Sequence, residues 1–252
     1  MKLPIMLNSL YRQINILRVS VYRCFGLGLL VSGFSFIVLA QTTIFNIPST
    51  DTQTEKSFYL EADYYAHFDS FQNGGFQSFN PVIVYGVRKN LEVGANFYYV
   101  RSEDETFAEL QPNVKWKFYE NDKSDVAASV GAIGFIPLNK SAGSQPSAIF
   151  YANVSKTFKS AKELRLTGGV YTMAGTEQGF GTKSGFIVGL EQPVTSKFTI
   201  LADWSSGNNR FGYATVGGNY QVTKNQFLGV GYSFGNFGRG NNYFTAYYGF
   251  TF

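Results

Sequence analysis

The chain holds one histidine, His67, and it lies among three acids, Glu61, Asp63 and Asp69. An imidazole beside carboxylates could activate a nucleophile or help ligate a metal. Neither constellation is complete. No serine motif accompanies His67, and the sole cysteine, Cys24, lies far upstream. His67 and Asp69 together supply two metal ligands where three or four are needed. Two glycine-rich stretches look like nucleotide-binding loops and fail for a shared reason. In "GFGTKS" (179–184) Thr182 separates the glycine from the lysine, and no helix-forming run follows. "GVGYSFGNFGRG" (229–240) likewise lacks a strand–turn–helix setting. The expectation is no catalytic residue, no metal and no cofactor. What remains is a scatter of charges at regular intervals, and its meaning depends on the elements that carry them.

Those elements are strands. From residue 57 onward, about ten residues of alternating polarity are followed by a turn signal, and this recurs twelve times. In 57–69, Phe58, Leu60, Ala62, Tyr64, Ala66 and Phe68 share one face; Tyr59, Glu61, Asp63, Tyr65, His67 and Asp69 share the other. The remaining segments are 77–88, 91–101, 107–119, 125–137, 147–158, 163–174, 183–193, 197–205, 211–222, 226–234 and 243–252, with 125–137 and 163–174 alternating poorly. No window after residue 40 shows a 3.6-residue apolar stripe. Aromatic residues make up 17% and charged residues 15% of the chain, where ordinary domains carry about 25% charge. That balance, rich in Tyr, Phe and Gly, suits a β-protein. The connections alternate between short ("RKN", "ENDKS", "KSAKE", "TSK", "TKN") and longer ("DSFQNGG", "SEDET", "NKSAGSQPS", "GTEQGFGTKS", "SSGNNR", "GNFGRGNN").

Residues 1–40 read as a signal peptide. Lys2, Arg12, Arg18 and Arg23 are their only charges, and an apolar run ends in Val38-Leu39-Ala40, a small-residue cleavage pattern. The apolar core of about 15 residues is short of the roughly 20 that a spanning helix needs. The chain has 21 basic and 17 acidic residues, so losing those four leaves 17 of each. The basic balance belongs to the leader and points to no nucleic-acid partner. Residues 41–56, "QTTIFNIPSTDTQTEK", form a short periplasmic lead or a small plug.

Alternation alone fits either a soluble barrel, apolar inside, or a membrane barrel, apolar outside. Export, strands of membrane-spanning length, their even number and the alternating links select the second. Closure then satisfies every backbone group in lipid. Tyr59, Phe68, Tyr98, Tyr99, Tyr119, Tyr171, Phe211 and Tyr243, near strand ends, are expected to form aromatic girdles. The leader ending "VLA", the alternating hairpins and the last strand "YFTAYYGFTF" carry a resemblance to the outer-membrane β-barrel proteins of Gram-negative bacteria. "YGVRKNLEVGANFYY" (85–99) has, more weakly, the look of transporter-like barrels. The resemblance covers 57–252 and implies an up-and-down antiparallel barrel of about twelve strands in the outer membrane, both mature termini periplasmic. It also implies that Tyr248, Phe250 and Phe252 are a signal read by the barrel-assembly machinery. Thr245 fits that signal, whereas Tyr247 stands where a glycine is usual and Gly249 comes two residues later.

On a barrel the scattered charges become a lumen lining: Glu61, Asp63, His67, Arg88, Glu92, Glu109, Lys115, Lys117, Arg165, Glu191 and Asp203. Both signs occur, so strong ion selectivity is not implied. Twelve strands lie between side-chain-filled and wide-open barrels. The function expected is passive passage of small solutes, with lipid as the surroundings. The alternatives are a closed barrel that anchors loops or a partner, and a lipase, since twelve strands are also the number in the outer-membrane phospholipases.

Overall fold

The computed structural model describes residues 42–103, 105–175, 181–238 and 242–252; the expected leader lies outside them. All twelve strands form: β1 (Phe58–His67), β2 (Phe76–Arg88), β3 (Leu91–Arg101), β4 (Thr106–Asn121), β5 (Val126–Pro137), β6 (Ser147–Phe158), β7 (Leu164–Ala174), β8 (Ser184–Pro193), β9 (Phe198–Ser205), β10 (Tyr213–Thr223), β11 (Gln226–Gly235) and β12 (Tyr243–Thr251). Each pairs antiparallel with its chain neighbours, and β1 pairs with β12, so the sheet is a closed barrel. The short links, such as 89–90 and 224–225, gather at the end where β1 begins; the longer ones, such as 138–146 and 206–212, gather at the other.

Faces follow the pleat. On β11, Leu228, Val230, Tyr232 and Phe234 are exposed, while Phe227 and Ser233 are buried. The outward residues make an apolar belt of the kind that lipid covers. Where the alternation was weak, inward glycine explains it. A β-carbon on Gly131 would lie 2.2 Å from the Tyr151 hydroxyl, and one on Gly229 would lie 1.9 Å from Tyr247 Cζ. The inward face therefore alternates ring and glycine, so that rings lie flat on neighbouring strands.

Part of the girdle expectation is overturned. Phe68, Tyr99 and Tyr119 face outward, but Tyr59, Tyr171 and Tyr243 are buried inside, Tyr98 lines the lumen, and Phe211 stacks on Phe135. Pleat parity decides the face along a regular strand; Tyr119, of the same parity as Lys117, faces outward because the register shifts between the two.

The seam is closed by the last residue. Phe58 N–H donates to Phe252 O at 2.8 Å, and Phe252 N–H donates to Phe58 O at 3.0 Å. The two rings stack at 5.7 Å, and Phe250 stacks on Phe252 at 5.4 Å. Deleting Phe252 removes both bonds and the ring at the one joint that local hairpins cannot form. Its membrane level, measured in outer-membrane fractions, is expected to fall several-fold while any protein that inserts retains its pore properties. Wild-type levels of the truncation would contradict this.

Candidate functional site

The lumen is occupied from the short-link end by the chain's own residues 42–56. Ile44 N–H donates to Ile47 O at 2.9 Å and Ser49 N–H to Thr42 O at 3.0 Å, so 42–49 is a compact turn. Ile44 and Ile47 are each 1% exposed and pack with Ile149, Ile187 and Leu201. Inward glycines make room for it: β-carbons on Gly189 and Gly217 would lie 2.3 Å from Ile44 Cδ1 and 2.8 Å from Phe45 Cζ.

Barrel side chains then hold the turn by its backbone. Asp203 Oδ2 accepts three consecutive amides, Phe45 at 2.9 Å, Asn46 at 2.6 Å and Ile47 at 3.0 Å. Successive N–H groups converging on one carboxylate form an anion nest, here built by the plug around a barrel residue. Asn46 Nδ2 donates to Thr215 Oγ1 at 2.5 Å, and Tyr243 OH donates to Asn46 Oδ1 at 2.8 Å. Lower down, Arg165 pairs with Asp51 and donates to Thr50 Oγ1 at 2.6 Å; its Nε lies 3.6 Å from Glu191. On the far wall Gln53 N–H donates to Glu92 at 2.6 Å, and Glu92 pairs with Lys115 at 3.1 Å. Lys115 Nζ donates in turn to Thr42 O at 2.6 Å. The bonds made by Asp203, Arg165, Glu92 and Lys115 are charge-assisted, the stronger kind of hydrogen bond.

The long-loop end is narrowed from above. Arg210, on the β9–β10 connection, reaches β4 on the opposite side of the twelve-stranded ring. Both its terminal nitrogens lie 2.8 Å from the carboxylate of Glu109, which is 2% exposed. Its guanidinium sits over the rings of Tyr98, Phe107, Phe135 and Phe211 at 5.0–5.8 Å. Asn209 Nδ2 donates to Tyr171 OH at 2.7 Å and Thr182 O at 2.6 Å, which ties the same loop to the wall. Between lid and plug lies a cavity of about 260 Å³, lined largely by tyrosine and phenylalanine rings.

The charges expected to line the lumen thus divide by task. Glu92, Lys115, Arg165, Glu191 and Asp203 surround the plug, and Glu109 anchors the lid. Glu61 and Asp63 border the cavity, with Tyr59 OH donating to Glu61 and Tyr65 OH to Asp63 at 3.0 Å. His67 Nδ1 lies 2.5 Å from Asn242 O, near the mouth. Lys117 pairs with Glu120 at 2.5 Å toward the short-link end. Arg88 does not line the lumen: the register shifts between Gly86 and Arg88, and its residue is exposed at the end of β2. Residues that sequence reasoning missed are Arg210, Thr215 and the plug's own Phe45, Asn46 and Ile47. A cue for the last was available, since Ile44, Phe45 and Ile47 are apolar within an otherwise polar stretch.

No protein-family model matches the chain, and no curated protein matches it in sequence. Among solved structures, the COG4313 outer-membrane channel from Pseudomonas putida F1 is similar at 12% identity and a TM-score of 0.52, over 81% of this chain and 97% of that one. Outer-membrane phospholipase A from Escherichia coli is similar at 12% identity and a TM-score of 0.46, over 78% and 92%. The Ralstonia pickettii toluene transporter TbuX is similar at 10% identity and a TM-score of 0.41, over 79% and 89%. The chain thus has the fold of the outer-membrane β-barrels of Gram-negative bacteria.

Proposed function

We propose that the barrel is an outer-membrane channel for small solutes, held shut at rest by residues 42–53. The observation that carries this reading is that the lumen is blocked by a segment outside the sheet. Moving it breaks no strand pairing within the barrel, whereas a lumen filled by barrel side chains could open only by deforming the wall. In the orientation proposed, both mature termini and the short links are periplasmic and the Arg210 loop faces outward. The COG4313 barrel described as an outer-membrane channel offers support by analogy of fold.

A second reading, a closed barrel that anchors a partner, is favoured by the burial of Ile44 and Ile47, since an apolar side chain returned to water costs about 1.5–3 kcal/mol. Planar-bilayer recording of refolded protein separates the two. Wild type is expected to conduct rarely. Asp203→Ala removes the acceptor of three amides, and if about 3 kcal/mol of latch energy is lost, the open fraction rises about a hundredfold. Deleting 42–49 is expected to conduct continuously. Silence from all three at every voltage would overturn the channel and favour the anchoring barrel.

The proposal gives no hydrolytic role to His67, whose Nδ1 is engaged with a backbone carbonyl. His67→Ala is expected to keep the fold and the conductance of wild type. A phospholipid-hydrolysing activity present in wild type and lost in that variant would contradict it.

A further inference from the structure

Most buried charge in this lumen is matched. Glu92 is matched by Lys115, Glu109 by Arg210, and Asp51 and Glu191 share Arg165. Asp203 has no counter-ion but receives three plug amides. Glu61 and Asp63 differ. They lie two residues apart on one face of β1, and their carboxyl groups are in hydrogen-bond contact with each other. Both border the cavity, and neither has a basic partner among the described residues. Lys115 and Arg210 also border the cavity, but each is bound to its own carboxylate.

A second feature is independent of the acids. Asn80 is 2% exposed and stands directly across from Asp63 in the β1–β2 register. Its Oδ1 accepts from Ser78 Oγ at 2.8 Å and from Tyr99 N–H at 3.2 Å. A backbone N–H can only donate, so the amide orientation is fixed and Nδ2 is left on the cavity side. Nδ2 has no partner, and nor has Oδ1 of Asp63, a residue that is 8% exposed. One buried donor and one buried acceptor thus face each other across adjacent strands, each costly to leave unmade. Around them stand Tyr59, Tyr65, Phe76, Tyr243 and Tyr247.

We propose that this cavity is a binding site for a small organic ammonium compound that carries a hydroxyl or carbonyl oxygen close to its nitrogen. The ammonium lies beside the Glu61–Asp63 pair and donates to Asp63 Oδ1. The neighbouring oxygen accepts from Asn80 Nδ2, and the carbon body packs on the rings, whose faces attract cations. A cation beside this carboxyl pair supplies the counter-charge that no side chain provides. The volume of about 260 Å³ equals about nine waters of liquid, which limits the ligand to the size of a single substituted ring. The inference rests on the reading of the lumen as a solute path and names the class of solute, but its test is independent of conduction.

The test is equilibrium binding to the refolded full barrel in detergent, read by calorimetry after long incubation. The probes are four compounds of one shape: 2-amino-1-phenylethanol, phenylethylamine without the hydroxyl, neutral 1-phenylethane-1,2-diol and anionic mandelate. The amino alcohol is expected to bind about tenfold or more tighter than the diol, with mandelate weakest, because bonds to charged groups are the stronger ones. Asp63→Asn is expected to remove the preference of cation over diol. Asn80→Ala is expected to bring the amino alcohol down to the affinity of phenylethylamine. Equal affinity for cation and diol, or no binding of any probe, would overturn the site. The wild-type series decides the matter even if a variant does not fold. Preferential cation binding by a barrel that never conducts would leave the site standing and remove the channel.

Discussion

Within hydrocarbon no backbone N–H or C=O can go unpaired, and everything in this barrel follows from how that is met. Eleven of the pairings join chain neighbours. The twelfth joins β1 to β12, and it alone must be found across the whole length of the sheet. The chain ends on that joint: Phe58 and Phe252 exchange backbone bonds while their rings stack outside. β12 is apolar on its outward face, the side that lipid covers, and Phe252 completes the pairing across the seam.

Closure sends the other half of the side chains inward, and an interior of carboxylates, amides and hydroxyls has to be satisfied there. The chain does this with its own leading segment. A short apolar turn fills the volume, while its backbone amides and carbonyls meet the barrel's charged groups: Asp203 under three amides, Lys115 on a carbonyl, Glu92 on another amide. Removing the turn would leave those charges to water, which can solvate them. Under the proposed function, closed and open states would therefore both satisfy the wall. The lid works similarly, with Arg210 buried against Glu109 and four rings at the far end.

How much of this could be read from the residues depended on whether a signal was local. Strands, their number and their faces were legible because the pleat imposes a two-residue period on each hairpin, and β11 or β12 shows it without help. The lining at Glu92, Lys115 and Asp203 followed from the same parity. Arg88 departed from it because a register shift at the end of β2 is invisible in one strand alone. Tyr59, Tyr171 and Tyr243 lie near strand ends yet face inward, as the parity that sets Tyr59 beside Glu61 and Asp63 requires, so nearness to a strand end does not mark a girdle. Arg210 and the plug were illegible for a deeper reason. Their partners are spread over strands from β3 to β12, and nothing in "SSGNNR" or "QTTIFNIPST" states which strands a closed ring will bring opposite. The glycines at 189, 217 and 231 form the floor on which Ile44 and Phe45 rest.

The central claim is that residues 42–53 close the path and can leave it. The described residues contain no cysteine, so a pair introduced by Asn46→Cys and Thr215→Cys, whose native side chains meet at 2.5 Å, can tether the plug to β10. Combined with Asp203→Ala, the oxidised barrel is predicted to stay closed in planar-bilayer recording. Adding reductant to the same membrane is predicted to start conduction. Equal conductance before and after reduction, with the disulfide verified, would contradict the account.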